Sequence, residues 1–233
     1  MKDFSKLEKQ LNIKFKNKNL LVQAFTHRSY LNENQKLKLE HNERMEFLGD
    51  AVLELVITEE LYIKYPAKTE GELTTWRAAL VNAKILAKIA KTLNFDDFLL
   101  LSKGEQKELG KAREYILANT FEAFIGAFYF DQGYKYCQIF IKKYIIKELP
   151  NILKSGLHKD AKSRFQEEAQ ERQGITPTYK TLKEQGPEHA KHFLIGVFLK
   201  KEIIAKGEGY SKQEAEEMAA QNALKIYNKK IIC

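Results

Sequence analysis

The sequence predicts an all-α N-terminal domain followed by a small α+β domain with the element order α-β-β-β-α. Gly and Pro are scarce, at 12 and 4 of 233 residues, and apolar residues recur at helical spacing through the first two-thirds of the chain. Beyond residue 150 the pattern changes to one helix, three strand-like runs and a last helix. We therefore expect domains over residues 1–150 and 160–228, joined by a linker over 151–159.

Capping and helix-breaking residues bound the predicted helices of the first domain. Thr69 and Glu72 have the spacing of a capping box, with Thr69 as the N-cap. Pro66, Gly133 and Pro150 stand where other helices are expected to stop. The long helices are predicted over residues 42–64, 69–93, 111–130 and 134–148.

The second domain begins with a predicted helix over residues 161–173, which Gly174 closes. Strands are expected over residues 178–182, 192–199 and 202–207. In the middle strand, apolar residues alternate with polar or small ones, as in a half-buried antiparallel strand. Ser211 and Glu214 form a second capping-box pattern at the start of the last helix.

The chain carries a formal net charge of +8, from 39 Lys and Arg against 31 Asp and Glu. Such an excess favours polyanionic partners, either nucleic acid or an anionic membrane, although it also fits ordinary solubilising charge. Residues 1–157 carry 25 basic and 20 acidic residues, and residues 158–233 carry 14 and 11. The basic excess is therefore shared by the two domains.

Several classes of protein are disfavoured by composition. No apolar run approaches the ~18 residues of a transmembrane helix, and the first residues, MKDFSKLEKQ, are too charged for a signal peptide. The two cysteines, Cys137 and Cys233, lie too far apart in sequence to suggest a disulfide framework or a cysteine zinc site. We expect a cytoplasmic protein with no membrane partner.

The first long helix carries three carboxylates on one face. At ~100° per residue, Glu43, Glu46 and Asp50 cluster together. The stripe predicted to face the core consists of Met45, Leu48, Val52 and Leu55. An acidic face of this kind can simply be solvated, but carboxylates at i and i+3 repel one another. Binding a hard cation such as Mg²⁺ would remove that cost.

A second helix offers a matching face. Asn119 and Glu122 point away from its apolar stripe, which contains Leu117, Phe121, Phe124 and Phe128. If the two helices pack with their oxygen-bearing faces together, they form a site for Mg²⁺. In a basic protein, such a site indicates metal-assisted hydrolysis of a phosphodiester.

Residues 42–50, NERMEFLGD, resemble the signature of the ribonuclease III family. Similarity continues in the family's order through residues 26–29, the pair Gly104-Glu105, Arg113 and residues 117–131. The last ~70 residues resemble a double-stranded-RNA-binding domain, whose α-β-β-β-α order the pattern already predicts. The resemblance covers nearly the whole chain and implies an endonuclease domain in its first part.

That resemblance implies endonucleolytic cleavage of double-stranded RNA by a homodimer. Two symmetry-related sites would each cut one strand and leave 5′-phosphates and short 3′ overhangs, in the processing of rRNA and mRNA precursors. The implied cofactor is Mg²⁺, with Mn²⁺ as a substitute, and no small-molecule cofactor beyond the metal is expected.

Residue roles also follow from the resemblance. The implied catalytic residues are Asp50, Glu122 and Glu43, and Phe47 matches the family's aromatic dimer contact. The implied metal ligands are Glu46, Asp50, Asn119 and Glu122. The implied RNA-binding residues are Arg113, Gln166, Gln170, His189, Ser211 and Lys212.

One departure from the family pattern bears on activity. Asn119 stands where the family normally has Asp, so the site loses one negative charge while keeping an oxygen ligand. A catalytically weak or inactive protein that only binds double-stranded RNA is therefore the alternative. A DNA-binding structural protein is a further reading, but it gives the carboxylate face no purpose. Because the other carboxylates are intact, we expect an active enzyme.

Overall fold

The structure is a computed structural model that describes residues 2–156, 160–187 and 191–229. The chain divides into two compact units after Ser155. The first unit is helical and the second has the order α-β-β-β-α. The predicted fold class is therefore confirmed. Within the described ranges, no helix is long and apolar enough to cross a membrane.

The first unit is built around two long helices, α4 and α7. Its helices, in chain order, are α1 (Ser5–Leu11), α2 (Lys18–Ala24), α3 (Arg28–Glu33), α4 (Glu43–Lys64), α5 (Glu70–Val81), α6 (Ala83–Thr92), α7 (Lys111–Gln132), α8 (Tyr134–Tyr144) and α9 (Leu149–Lys154). Short 3₁₀ turns cover Phe95–Phe98, Glu105–Lys107 and Ile146–Glu148.

The prediction of a single helix over residues 69–93 is wrong, because Asn82 interrupts that segment. The capping box of Thr69 and Glu72 is present. Asn82, however, has extended backbone angles (φ −68°, ψ 152°). Its side-chain amide donates to the Ala79 carbonyl at 2.8 Å and its oxygen accepts from the Ile85 amide at 3.0 Å. Asn82 therefore ends α5 and caps α6 at the same position.

The prediction that Pro150 ends a helix is also wrong. The preceding helix α8 already stops at Tyr144, and Pro150 lies in the first turn of α9. Proline is tolerated there because an amide in the first turn has no helical partner. As a result, residues 151–154 of the expected linker are helical.

Two glycines let α4 and α7 approach until their backbones touch. A Cβ atom on Gly49 would lie 1.8 Å from the Glu122 carbonyl oxygen, and one on Gly126 would lie 2.1 Å from the Met45 carbonyl oxygen. Any side chain at either position would collide with backbone. The crossing point is therefore fixed by residues that have no side chain.

Aromatic packing surrounds this crossing. Phe124 of α7 contacts Phe25, Phe95 and Phe140, with ring centroids 5.1–6.4 Å apart. Of the stripe predicted for α4, Val52 is buried, and Met45 and Leu48 pack against the core from half-buried positions. Leu55 is 58% exposed, so its predicted place in the core is wrong.

The second unit consists of α10 (Ala161–Gln173), β1 (Thr178–Gln185), β2 (His192–Leu199), β3 (Glu202–Gly209) and α11 (Lys212–Lys229). The strands form an antiparallel sheet in the order β1-β2-β3. Both helices pack on this sheet through Phe165, Val197 and Ala219. The first and third strands are longer than predicted.

The glycine crossing makes a stability prediction. The substitution Gly126→Ala forces the Met45 carbonyl away and should lower the free energy of unfolding by about 3 kcal/mol. Gly71→Ala is the matched control, since Gly71 lies in α5 with nothing within 4 Å of its added Cβ. It should raise stability by about 0.5 kcal/mol. Urea unfolding measures the free energy of unfolding of both variants. A Gly126→Ala protein as stable as the parent would contradict the close backbone contact at Gly126.

Candidate active site and RNA interface

The crossing of α4 and α7 brings together the four residues that were predicted to surround a metal. Glu46 and Asp50 come from α4, and Asn119 and Glu122 from α7. Electrostatic coupling links Glu122 to both α4 carboxylates, and the Asn119 side chain hydrogen-bonds to Glu46. The close backbone contact at Gly49 lies beside Glu122 itself. The oxygen-bearing faces of the two helices thus lie next to each other at the crossing.

Burial and mutual repulsion disturb the protonation of this cluster. Burial, followed by the charges of Asp50 and Glu46, raises the pKa of Glu122 from 4.5 to about 7. The pKa of Glu46 is also raised, mainly by burial and then by Glu43 and Asp50, while the Asn119 hydrogen bond acts in the opposite direction. Perturbed carboxylates of this kind are typical of functional sites.

Glu43 lies at the rim of the cluster and has basic side chains of its own beside it. Its carboxylate is 3.4 Å from Arg28 Nε and 3.7 Å from His41 Nδ1. Its charge still contributes to the raised pKa of Glu46. Sequence reasoning did not identify Arg28 as its partner, although both residues lie in the segments that carry the family resemblance.

The chemistry of these donors fits a hard divalent cation. Three carboxylates and one amide oxygen offer oxygen ligands only, as Mg²⁺ prefers. A bound cation would also reverse the repulsion that raises the pKa values of Glu46 and Glu122. Among the described residues, no three His, Cys, Asp or Glu side chains are placed so that they could hold a metal ion. The four residues therefore lie near one another without forming a ready-made coordination site.

An apolar stripe runs along α4 beside the carboxylates. Phe47 is 82% exposed, and Leu55 and Tyr62 are exposed on the same side of the helix. Ala51 and Thr58 continue the stripe between them. The spacings of four, four, three and four residues keep all five on one face. Helical periodicity alone assigned Leu55 to the core, so it did not separate this exposed stripe from the core-facing stripe of α4.

The structure gives Arg113 a different environment from the one predicted. Its guanidinium group is 2.6 Å from the carboxylate of Asp96, and the side chain is only 16% exposed. An arginine held in this way stabilises the start of α7 and is not free to meet a phosphate. We therefore leave Arg113 out of the candidate RNA interface.

The second unit presents most of the other predicted RNA-binding residues at its surface. Gln166 and Gln170 are exposed on α10, and Ser211 and Lys212 are exposed at the start of α11. Gln166 and Ser211 line the same groove, of about 710 Å³. His189 lies outside the described residues.

Local contacts order the start of α11. The Ser211 hydroxyl accepts a hydrogen bond from the Glu214 amide at 3.1 Å, and the Glu214 carboxylate accepts from the Tyr210 amide at 2.8 Å. The Lys212 ammonium lies 5.7 Å from the centre of the Phe193 ring. The helix N-terminus and this lysine form a positively polarised end suited to phosphate.

Comparisons with known proteins agree with both units. Residues 17–149 match the family described as ribonuclease-III-like, and residues 161–227 match the double-stranded RNA binding motif. The chain is 47% identical to ribonuclease 3 of Bacillus licheniformis over 95% of this chain and 88% of that protein. It is 44% identical to ribonuclease 3 of Enterococcus faecalis over 95% of this chain and 96% of that protein.

A solved structure matches the first unit. The nuclease domain of ribonuclease III from Campylobacter jejuni aligns with a TM-score of 0.57 and 44% identity, covering 64% of this chain and 99% of that one. The helical fold, the carboxylate cluster at the α4–α7 crossing and the sequence matches over both units lead to one assignment. The chain belongs to the ribonuclease III family and is an endoribonuclease with a double-stranded RNA binding motif.

Proposed function

We propose that this protein is a Mg²⁺-dependent homodimer that hydrolyses both strands of double-stranded RNA and leaves 5′-phosphates and short 3′ overhangs. The observation that carries the proposal is the meeting of Glu46, Asp50, Asn119 and Glu122 at the glycine crossing. In a family of ribonucleases, an oxygen-only donor set in a basic protein suits phosphodiester hydrolysis. Processing of rRNA and mRNA precursors in the cytoplasm is the corresponding cellular role.

The chain's own residues have distinct tasks in this reaction. Glu46, Asp50, Glu122 and the Asn119 oxygen would hold Mg²⁺, or Mn²⁺ in its place. A metal held there would supply a nucleophilic hydroxide and neutralise phosphate charge. Glu122 must be ionised to bind the metal, and its pKa of about 7 places that step near neutral pH. Glu43, held by Arg28, adds negative charge at the rim of the cleft.

Duplex RNA is recognised by shape, through contacts to minor-groove hydroxyls and phosphates. Gln166 and Gln170 are exposed on one face of α10, where amide side chains can reach 2′-hydroxyls. Lys212 and the α11 N-terminus would take a phosphate. Because this unit contains only a modest basic excess, we assign part of the affinity to the nuclease domain.

The apolar stripe on α4 supports the homodimer. The stripe is a continuous exposed face made of Phe47, Ala51, Leu55, Thr58 and Tyr62. Exposure of such a largely apolar surface to water is unfavourable. A second copy of the chain would cover it, with Phe47 as the aromatic anchor. The Campylobacter jejuni nuclease domain contains a region involved in dimer formation, which is consistent with this arrangement.

The substitution Glu122→Gln tests the site. It keeps the shape of the side chain but removes the charge, so cleavage of a long RNA duplex in Mg²⁺ should fall by at least about 100-fold. Duplex binding, measured by fluorescence anisotropy, should change by less than about twofold, because phosphate and groove contacts supply the affinity. EDTA should abolish cleavage by the parent.

Glu114→Gln is the matched control for Glu122→Gln. It removes a carboxylate from the same helix, two turns and about 12 Å along the axis from Glu122. This variant should cut at the parental rate. Full activity in Glu122→Gln would refute the site, and a parent that cuts no duplex at any Mg²⁺ or Mn²⁺ concentration would refute the proposed reaction.

The binding-only alternative rests on Asn119 and has its own test. Asn119→Asp adds one negative charge, so half-maximal cleavage should need about fivefold less Mg²⁺, the equivalent of about 1 kcal/mol. Asn119→Ala, which removes the oxygen altogether, should shift the midpoint the other way. Identical Mg²⁺ titrations for the parent and Asn119→Asp would show that Asn119 does not limit the site. An inactive parent with an active Asp variant would favour the alternative.

A further inference from the structure

One exposed aromatic residue shares the face of α7 that carries the candidate site. At ~100° per residue, Tyr115 projects within about 40° of Asn119 and about 20° of Glu122. It lies one turn, or about 6 Å, before Asn119 along the helix axis. The direction of its Cα–Cβ bond therefore falls between those of the two site residues.

The environment of Tyr115 differs from that of most tyrosines in this unit. Its side chain is 61% exposed, and Lys111, one turn earlier on the same side of α7, is also exposed. None of the ring-to-ring contacts among the described residues involves Tyr115, and its hydroxyl can both donate and accept a hydrogen bond. Lys111 and Tyr115 thus extend the face of α7 that carries Asn119 and Glu122 toward the start of the helix.

We propose that Tyr115 contacts the ribose–phosphate backbone of the RNA strand held at the carboxylate cluster, with Lys111 beside it as a phosphate-neutralising cation. This inference rests on the proposed function and names a substrate-positioning residue for the same site. Bases in a duplex are stacked and paired, so the sugar and phosphate oxygens are the groups that a phenol hydroxyl can reach. The contact would hold the strand in register and take no part in bond breaking.

Charge favours RNA over a protein as the partner of this face. The apolar stripe on α4 is centred on Phe47, Leu55 and Tyr62, with the charged residues Arg44 and Glu54 at its borders. The face around Tyr115 instead contains Lys111, Asn119 and Glu122. Protein interfaces exclude charge from their centres, whereas nucleic-acid interfaces are polar and carry cations.

Steady-state cleavage by the full-length protein tests the contact, using Tyr115→Phe and Tyr115→Ala on one RNA duplex in Mg²⁺. Loss of a single hydrogen bond corresponds to about a two- to tenfold change. We expect Tyr115→Phe to raise KM by that factor while kcat stays within about twofold, and Tyr115→Ala to raise KM at least as far. Thermal unfolding should be the same as in the parent, because the ring is exposed.

Tyr136 provides the control. It is 56% exposed on α8, and Tyr136→Phe and Tyr136→Ala should leave both kinetic constants at parental values. Parental KM values for both Tyr115 variants would overturn the inference while leaving the proposed function intact. A parent that cuts no duplex would overturn both. Weakened self-association in Tyr115→Ala, but not in Tyr136→Ala, measured by sedimentation, would make Tyr115 a protein contact and also overturn the inference.

Discussion

The candidate active site depends on the contact between two helix backbones at Gly49 and Gly126. Each glycine takes the place of a side chain that would collide with a carbonyl group on the other helix, at 1.8 and 2.1 Å. With larger residues the axes of α4 and α7 would move apart, to the 8–10 Å separation usual for packed helices or beyond. The carboxylates on α4 would then lie farther from Glu122, and their coupling to it would weaken. Aromatic packing around Phe124 holds the crossing in place.

This arrangement costs stability when Glu122 is ionised. Burial and neighbouring charge raise the folded-state pKa of Glu122 to about 7, against an ordinary value of 4.5. A carboxyl group with a raised folded-state pKa favours the fold most at a pH below 4.5, where it is neutral in both states. That contribution is lost as the pH rises from about 4.5 through about 7. The site therefore lowers the free energy of unfolding most at a pH above about 7, where Glu122 is ionised.

Much of the fold and the site was predictable because the relevant signals are local. Helical projection placed Glu46 and Asp50 on one face of α4 and Asn119 and Glu122 on one face of α7, and the family resemblance supplied their roles. What was missed depends on the partner that a side chain meets, either a few residues away or across the fold. Asn82 ends one helix and caps the next through its own side-chain hydrogen bonds. Leu55, which was predicted to be in the core, lies in an exposed stripe, and Arg113 forms an ion pair with Asp96. A helical projection gives the direction of a side chain but not the partner that it meets.

The pKa of Glu122 tests most directly whether the crossing couples the carboxylates. It can be measured in metal-free protein by a ¹³C NMR titration of labelled glutamate side chains, with Glu122→Gln identifying the resonance. We expect a pKa of about 7 in the parent and a lower value in a variant that combines Glu46→Gln and Asp50→Asn. It should remain above 4.5 in that variant, because burial persists. A parental Glu122 that titrates near 4.5, or a value unchanged by removing both neighbouring charges, would contradict the account.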